Sequence, residues 1–249
     1  MTSQLANHPA NHLELKSVSK RFGGVVAVDN VSFAVPRRGF WGLMGANGAG
    51  KTTLFSMIAG THAPSSGDVL LDGESIAQLG PAASCRRGVA RTFQIVRPFQ
   101  DMTVLETACV AAMYGRHRRG FEAARECAHE SIVAAGLGAL ADRAAGGLTL
   151  SNQKRLELAR ALATGGELLL LDEIMAGLTP TEVGEMLELL RRVHADWGLT
   201  IVCIEHVMRA LMDLADQIVV LHHGVKIAEG SPQDIAHHED VVRHYFGEA

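Results

Sequence analysis

The amino-acid sequence predicts an α/β fold, a buried sheet interrupted by a helical insert. Three observations carry that prediction. A short apolar run, Phe40–Met44, passes through a glycine-rich loop into a helical stretch. A second apolar run, Leu168–Leu171, ends in Asp172 and Glu173. The segment from about 100 to 165 is alanine-rich, with few β-branched runs. With 249 residues the chain suits one large α/β domain or two small ones, and 47% hydrophobic residues are enough to build a core rather than a disordered chain. Lys plus Arg number 23 and Asp plus Glu 27, a net charge of −4, which argues against bulk electrostatic binding to nucleic acid or an anionic membrane. No apolar run approaches the roughly 18 to 20 residues that cross a bilayer.

The elements follow in order. Residues 1–11 are polar, lack the layout of a signal peptide and read as a flexible tail, so a cytoplasmic protein is expected. Leu13–Val18 alternates like a half-buried strand, Gly23-Gly24 turns, and Val25–Val35 is a second β-rich stretch stopped by Pro36. Phe40–Met44 reads as a buried strand, Thr53–Ala59 as a helix stopped by Gly60, and Val69–Gly73 as a strand entering a tight turn. Thr103–Glu106 is a capping box, and Glu122–Ala135 continues as helix to Gly136. Thr179–Glu182 is another capping box with proline at the first helical position, and its helix carries Val183, Met186, Leu187, Leu190 and Val193 at helical spacing. Thr200–Ile204 is a strand, residues 218–227 a hairpin, and Ser231-Pro232 opens a terminal helix. The cysteines at 85, 109, 127 and 203 are scattered, so neither a disulfide framework nor a zinc site is expected.

Gly45-Ala-Asn-Gly-Ala-Gly-Lys-Thr52 is a G-x-x-x-x-G-K-[ST] sequence between strand and helix. Gly45, Gly48 and Gly50 let backbone N–H groups curl around phosphates, and the helix from Lys51 adds its positive dipole end. Lys51 is expected to bridge the β- and γ-phosphates, with Thr52 offering its hydroxyl to Mg²⁺. Asp172 closes a fully buried strand, at the end of the sheet where such folds bind ligands, and can hold Mg²⁺ through water. Glu173 is placed to orient or deprotonate an attacking water. The cofactors expected are ATP and Mg²⁺.

Further marks narrow the reading. Gln94 in Arg91-Thr-Phe-Gln94 precedes the helical insert, residues Gly147–Leu162 precede the acidic strand, and His206 follows Thr200–Ile204. In this order the chain closely resembles the ATP-binding subunit of ABC transporters over residues 13–246. Residues 91–99, Met102–Glu106, Ala176–Pro180 and the short C-terminal end look like the ATPases of branched-chain amino acid importers. The resemblance implies the ABC ATPase fold: a P-loop NTPase core with an antiparallel β subdomain and an inserted α-helical subdomain. It implies one domain over 12–249, with the core and β subdomain in 12–99 and 166–249 and the helical subdomain in 100–165.

It also implies roles. Phe22 matches the aromatic that stacks on adenine, Gln94 the glutamine that reaches Mg²⁺ and senses the membrane partner, and His206 the histidine at the γ-phosphate. The nucleotide-binding set is Phe22, Gly45, Ala46, Asn47, Gly48, Ala49, Gly50, Lys51, Thr52, Thr53 and Gln94. Catalysis falls to Glu173, His206 and Lys51, and the metal to Thr52, Gln94 and Asp172. The other eleven histidines read as surface or turn residues. Thr149, Ser151 and Asn152 lie in the signature segment and would reach the nucleotide held by the opposite subunit. There the chain departs from the family, with Leu150 and Ser151 in place of two glycines and Ser151 able to cap the following helix. Ile174 stands where proline is usual, and Thr179 where many members have aspartate.

The implied partners are a second ABC ATPase subunit, identical or different, transmembrane permease subunits and, indirectly, a solute-binding protein; nucleic acid is not among them. The implied place is the inner face of the cell membrane, held through the permease. Three rival readings are kept. One is a non-transport ABC-type ATPase of repair, chromosome handling or translation. Another is a GTP switch, for which no Asn-Lys-x-Asp base reader is found. The third is a weakened partner in a heterodimer.

Overall fold

The computed structural model describes residues 11–92, 99–205 and 208–243. Its chain begins with two long antiparallel strands, β1 (Asn11–Phe22) and β2 (Val25–Pro36), joined at the Gly23-Gly24 turn. Strand β1 opens at Asn11, which pairs with Pro36, so the strand takes in the last residue of the expected tail. After β3 (Phe40–Gly45) and α1 (Lys51–Ile58), the short strands β4 (Ser66–Leu71) and β5 (Glu74–Ser75) return to β1. The result is a four-stranded sheet in the order β2-β1-β4-β5. The tight turn expected after Leu71 is present, with Asp72 and Gly73 at φ 53 and 79.

Helix α2 (Pro81–Arg87) leads to β6 (Val89–Arg91). Next come the helices α3 (Val104–Tyr114), α4 (Phe121–Ala134) and α5 (Leu150–Ala163). The chain then alternates β7 (Leu168–Asp172), α6 (Pro180–Trp197), β8 (Thr200–Ile204), α7 (Met208–Leu214) and β9 (Gln217–His222). It ends with β10 (Val225–Gly230), α8 (Pro232–Ala236) and α9 (Glu239–Val241). The second sheet has the order β10-β9-β3-β8-β7-β6, with every pairing parallel except the β9–β10 hairpin.

The run Leu168–Leu171 shows why this sheet is central. Leu168 and Leu170 pack with Leu13, Phe33, Trp41 and Phe55 on one face, and Leu169 and Leu171 with Met186, Leu190 and Val193 of α6 on the other. A strand covered on both faces reads as an unbroken apolar run. The helical insert has its own core, rich in small residues such as Ala108, Ala112, Ala124 and Ala128. Helix α5 serves both: Leu158 and Leu162 face the sheet, and Leu156, Ala159 and Ala163 face α3 and α4. The capping boxes at Thr103 and Thr179 form as expected, each hydroxyl accepting from the backbone N–H three residues on. Each contributes about 1 kcal/mol. No helix among the described residues is long and apolar enough to cross a membrane, and all four cysteines are free.

Candidate functional site

The glycine-rich loop joins the C-terminal end of β3 to α1, at the sheet end where Asp172 and Glu173 also emerge. Gly48 and Gly50 take φ 80 and 101, conformations that side chains resist. A β-carbon on Gly50 would stand 2.5 Å from the Ala27 carbonyl oxygen. Gly45 does not share that conformation; it is the last residue of β3 and pairs with Leu221. Gly50 caps α1 with no side-chain hydrogen bond, so the first N–H groups of the helix have no partner from that position. Those donors, with the helix dipole, make an anion cradle. Lys51 folds its ammonium back onto the carbonyls of Gly45 at 2.6 Å and Ala46 at 3.0 Å. Burial lowers the Lys51 pKa, against the opposing pull of Glu173 and Asp172.

A cavity of about 440 Å³ opens on this loop. Asn47, Gly48, Ala49, Gly50, Lys51, Thr52 and Thr53 line it together with Ala27 and Glu173. The structure thus gathers most of the expected nucleotide-binding residues around one space with the expected catalytic carboxylate. Phe22 does not line this cavity. It stands at the hairpin tip, 43% exposed, its ring 5.3 Å from that of His62 and edge-on to it. Gln94 and His206 lie outside the described residues.

Asp172 is only 2% exposed. Its carboxylate accepts from Arg91 Nη2 at 2.8 Å, and its backbone N–H donates to Thr92 Oγ1 at 3.1 Å. A threonine hydroxyl and a carboxylate are all-oxygen donors, the chemistry that suits a hard cation such as Mg²⁺, so Thr52 and Asp172 fit that role.

Glu173 is held in an unusual backbone state, φ 50, which costs a non-glycine residue on the order of 1 kcal/mol. Such a state persists only when its surroundings over-determine it. Here the Glu173 N–H donates to Ile204 O at 2.9 Å and its carbonyl accepts from Lys154 Nζ at 3.1 Å. Glu205 accepts from the Met175 N–H at 2.9 Å. Lys154, in α5, is itself buried, and burial lowers its pKa, Glu205 and Glu173 opposing. Arg91, Lys154 and Glu205 are functional neighbours that motif reading passes over. The one local signal is that Arg91 and Lys154 sit inside the segments 91–99 and 147–162 that carry the family resemblance.

The signature segment lies at the start of α5, and none of its residues is among those that line this cavity. Thr149, not Ser151, caps the helix: its hydroxyl accepts from the Asn152 N–H at 3.4 Å. The helix begins at Leu150, so Ser151 falls inside the first turn and is buried. Leu150 is 45% exposed and lies against the Gly177 turn, where an added β-carbon would meet its Cδ2 at 3.0 Å.

His12 corrects the expectation that the remaining histidines are surface or turn residues. It is 2% exposed, with Nδ1 2.7 Å from Thr200 Oγ1. Asp72 and Glu167 stand close enough to form a metal-like triad with it. Both carboxylates are taken by guanidinium groups: Arg37 reaches Asp72 at 2.5 Å and Glu167 at 2.9 Å, and Arg116 also pairs with Glu167. The cluster is an ion network that staples the two sheets to the helical insert.

Comparison with known proteins agrees with this geometry. Residues 28–176 match the family described as ABC transporter, and residues 225–249 the family described as branched-chain amino acid ATP-binding cassette transporter. The chain is 37% identical over 252 residues to the high-affinity branched-chain amino acid transport ATP-binding protein BraF of Pseudomonas aeruginosa, covering 95% of this chain and 98% of that protein. It is also 37% identical to the corresponding protein LivG of Escherichia coli, over 95% and 98% of the two chains. A crystal structure of an ATP-binding cassette of an ABC transporter in its ADP conformation superposes with a TM-score of 0.86 at 28% identity, covering 96% of this chain and all of the other.

Proposed function

The chain belongs to the ABC transporter family as an ATP-binding and hydrolysing subunit, and from that premise we propose how its residues work and what it powers. The observation that carries the reading is one cavity lined both by a glycine-started helix, whose cap makes no side-chain hydrogen bond, and by Glu173. Backbone N–H groups of residues 48–53 take the phosphates, and Lys51 releases its loop carbonyls to meet the β- and γ-phosphate oxygens. Thr52 and Asp172 would hold Mg²⁺, which when bound would neutralise charge on the transferring phosphoryl group. Glu173 orients the attacking water and accepts its proton.

Binding of ATP alone leaves the γ-phosphate side open. A second ATPase subunit closes it, presenting the segment Thr149, Ser151 and Asn152 of one chain to the nucleotide of the other. Because those contacts exist only in the closed pair, ATP shifts the pair towards closure and hydrolysis releases it. Gln94 and His206 keep the roles that family resemblance gives them, at Mg²⁺ and at the γ-phosphate. Permease subunits receive the motion, which places the chain at the cytoplasmic face of a membrane. The cargo is a branched-chain or related amino acid, supported by the named activity of the relatives and by the match at residues 225–249. The rival reading, a non-transport ATPase, has no counterpart among those relatives.

Glu173→Gln tests the chemistry. Steady-state hydrolysis is expected to fall about 10²- to 10⁴-fold, with ATP affinity retained. Hydrolysis within a few-fold of the parent would remove Glu173 from the mechanism. Uptake of labelled leucine by vesicles holding the reassembled transporter tests the cargo.

A further inference from the structure

Arg91-Thr-Phe-Gln94 enters the reading above through its glutamine, yet its arginine has a distinct position. Arg91 ends β6, and its side chain is 11% exposed. Nη2 donates to Asp172 Oδ2 at 2.8 Å and Nη1 to Ser56 Oγ at 3.2 Å. Ser56 lies one turn beyond Thr52 on α1 and donates its own hydroxyl to the Thr52 carbonyl at 2.7 Å. The Phe55 ring lies 5.9 Å from the guanidinium carbon. Next in sequence, Thr92 ties the same strand end to β7, donating its N–H to Leu170 O at 2.9 Å and accepting from the Asp172 N–H. One planar cation thus touches the end of β7 and the helix of the phosphate loop, and it stands three residues before Gln94.

We propose that Arg91 is a positioning residue for the metal-holding groups. Its fork fixes the rotation of the Asp172 carboxylate and, through Ser56, the height of the Thr52 turn, so the two oxygen donors stay in register. The proposal rests on the reading that Thr52 and Asp172 hold Mg²⁺. A guanidinium can serve two acceptors in one plane, which a single lysine ammonium on a flexible stem does poorly. Groups that hold a ligating carboxylate in place are typically worth about 10- to 100-fold in metal affinity.

The test uses the full chain with a non-hydrolysable ATP analogue. Mn²⁺ affinity is read by electron paramagnetic resonance, and analogue affinity is measured separately in EDTA. Arg91→Met is expected to weaken Mn²⁺ binding about 10- to 100-fold while analogue affinity in EDTA stays within about twofold. Arg91→Lys should fall between the two, and Asp172→Asn should lose the metal as well. A merely structural arginine would instead move both affinities, or neither. Mn²⁺ affinity at the parent level in Arg91→Met, with Asp172→Asn defective, overturns the proposal and leaves the metal reading standing. If Asp172→Asn also binds Mn²⁺ normally, the metal reading itself falls and takes the proposal with it. Should Arg91→Met fail to fold, Arg91→Lys decides: parent-level Mn²⁺ affinity in that variant overturns the proposal.

Discussion

Helices α1 and α5 begin in opposite ways. At α1 the cap is Gly50, left-handed at φ 101, which offers no side chain to the first N–H groups. At α5 the cap is Thr149 in extended conformation, its hydroxyl already turned onto the Asn152 N–H. The first terminus gets no cap from its own N-cap side chain, and its residues line the cavity. The second is completed from within, and its exposed Leu150 is an apolar side chain rather than a donor. Charge capture therefore belongs to the α1 end. The α5 end presents the exposed Leu150 side chain beside a hydroxyl already used as a cap.

The sharpest way to break this contrast is to disarm the open terminus. Lys51→Ala removes one charge-assisted contact, worth about 1.5–3 kcal/mol, so ATP affinity should fall about 10- to 100-fold in an equilibrium titration. Parent-like affinity would mean that α1 is not the phosphate site. Gly50→Ala comes next. Its β-carbon must clear the Ala27 carbonyl, 2.5 Å away, from a backbone state unfavourable to alanine, so urea denaturation should show a loss of about 1–3 kcal/mol. Thr149→Ala is smaller, about 1 kcal/mol, because it removes a cap that α1 never had. A null result there would show the long Thr149 contact to be idle and the two termini to be alike.

The smallest effect on nucleotide binding should come from His12, which serves as a control for global stability. Burial lowers its pKa, Asp72 opposing and Arg37 reinforcing. The unfolded chain therefore takes up a proton that the fold resists. The associated stability is complete above about pH 6.5 and drains as pH falls through the lower folded value. His12→Gln should flatten the decline of the urea midpoint between about pH 7 and 5. Parallel slopes for parent and variant would assign the acid sensitivity elsewhere.

How far the sequence speaks differs between these regions for a physical reason. The phosphate loop and the capping boxes are local: a few adjacent residues decide the conformation, so Gly50 and Thr103 can be read without a fold. The ties that finish the site span large separations. Arg91 meets Asp172 across 81 residues and Lys154 meets Glu173 across 19, and neither pair shares a periodicity that would announce it. His12 reads as a surface or turn histidine until β1 carries it into the interior beside Thr200 and Asp72. At α5, Thr149 and Ser151 are both residues able to cap, two positions apart, and the choice between them depends on where tertiary packing starts the helix.

The double packing of α5 has a mechanical consequence. A rod wedged into two cores cannot slide at one end without sliding at the other. Lys154 sits five residues past Thr149, about 7.5 Å along the axis at 1.5 Å per residue. Whatever seats itself on the Thr149 end therefore pushes on the same rigid shaft that grips the Glu173 carbonyl. The rim of the signature segment and the backbone turn that carries Glu173 are thus joined through one helix.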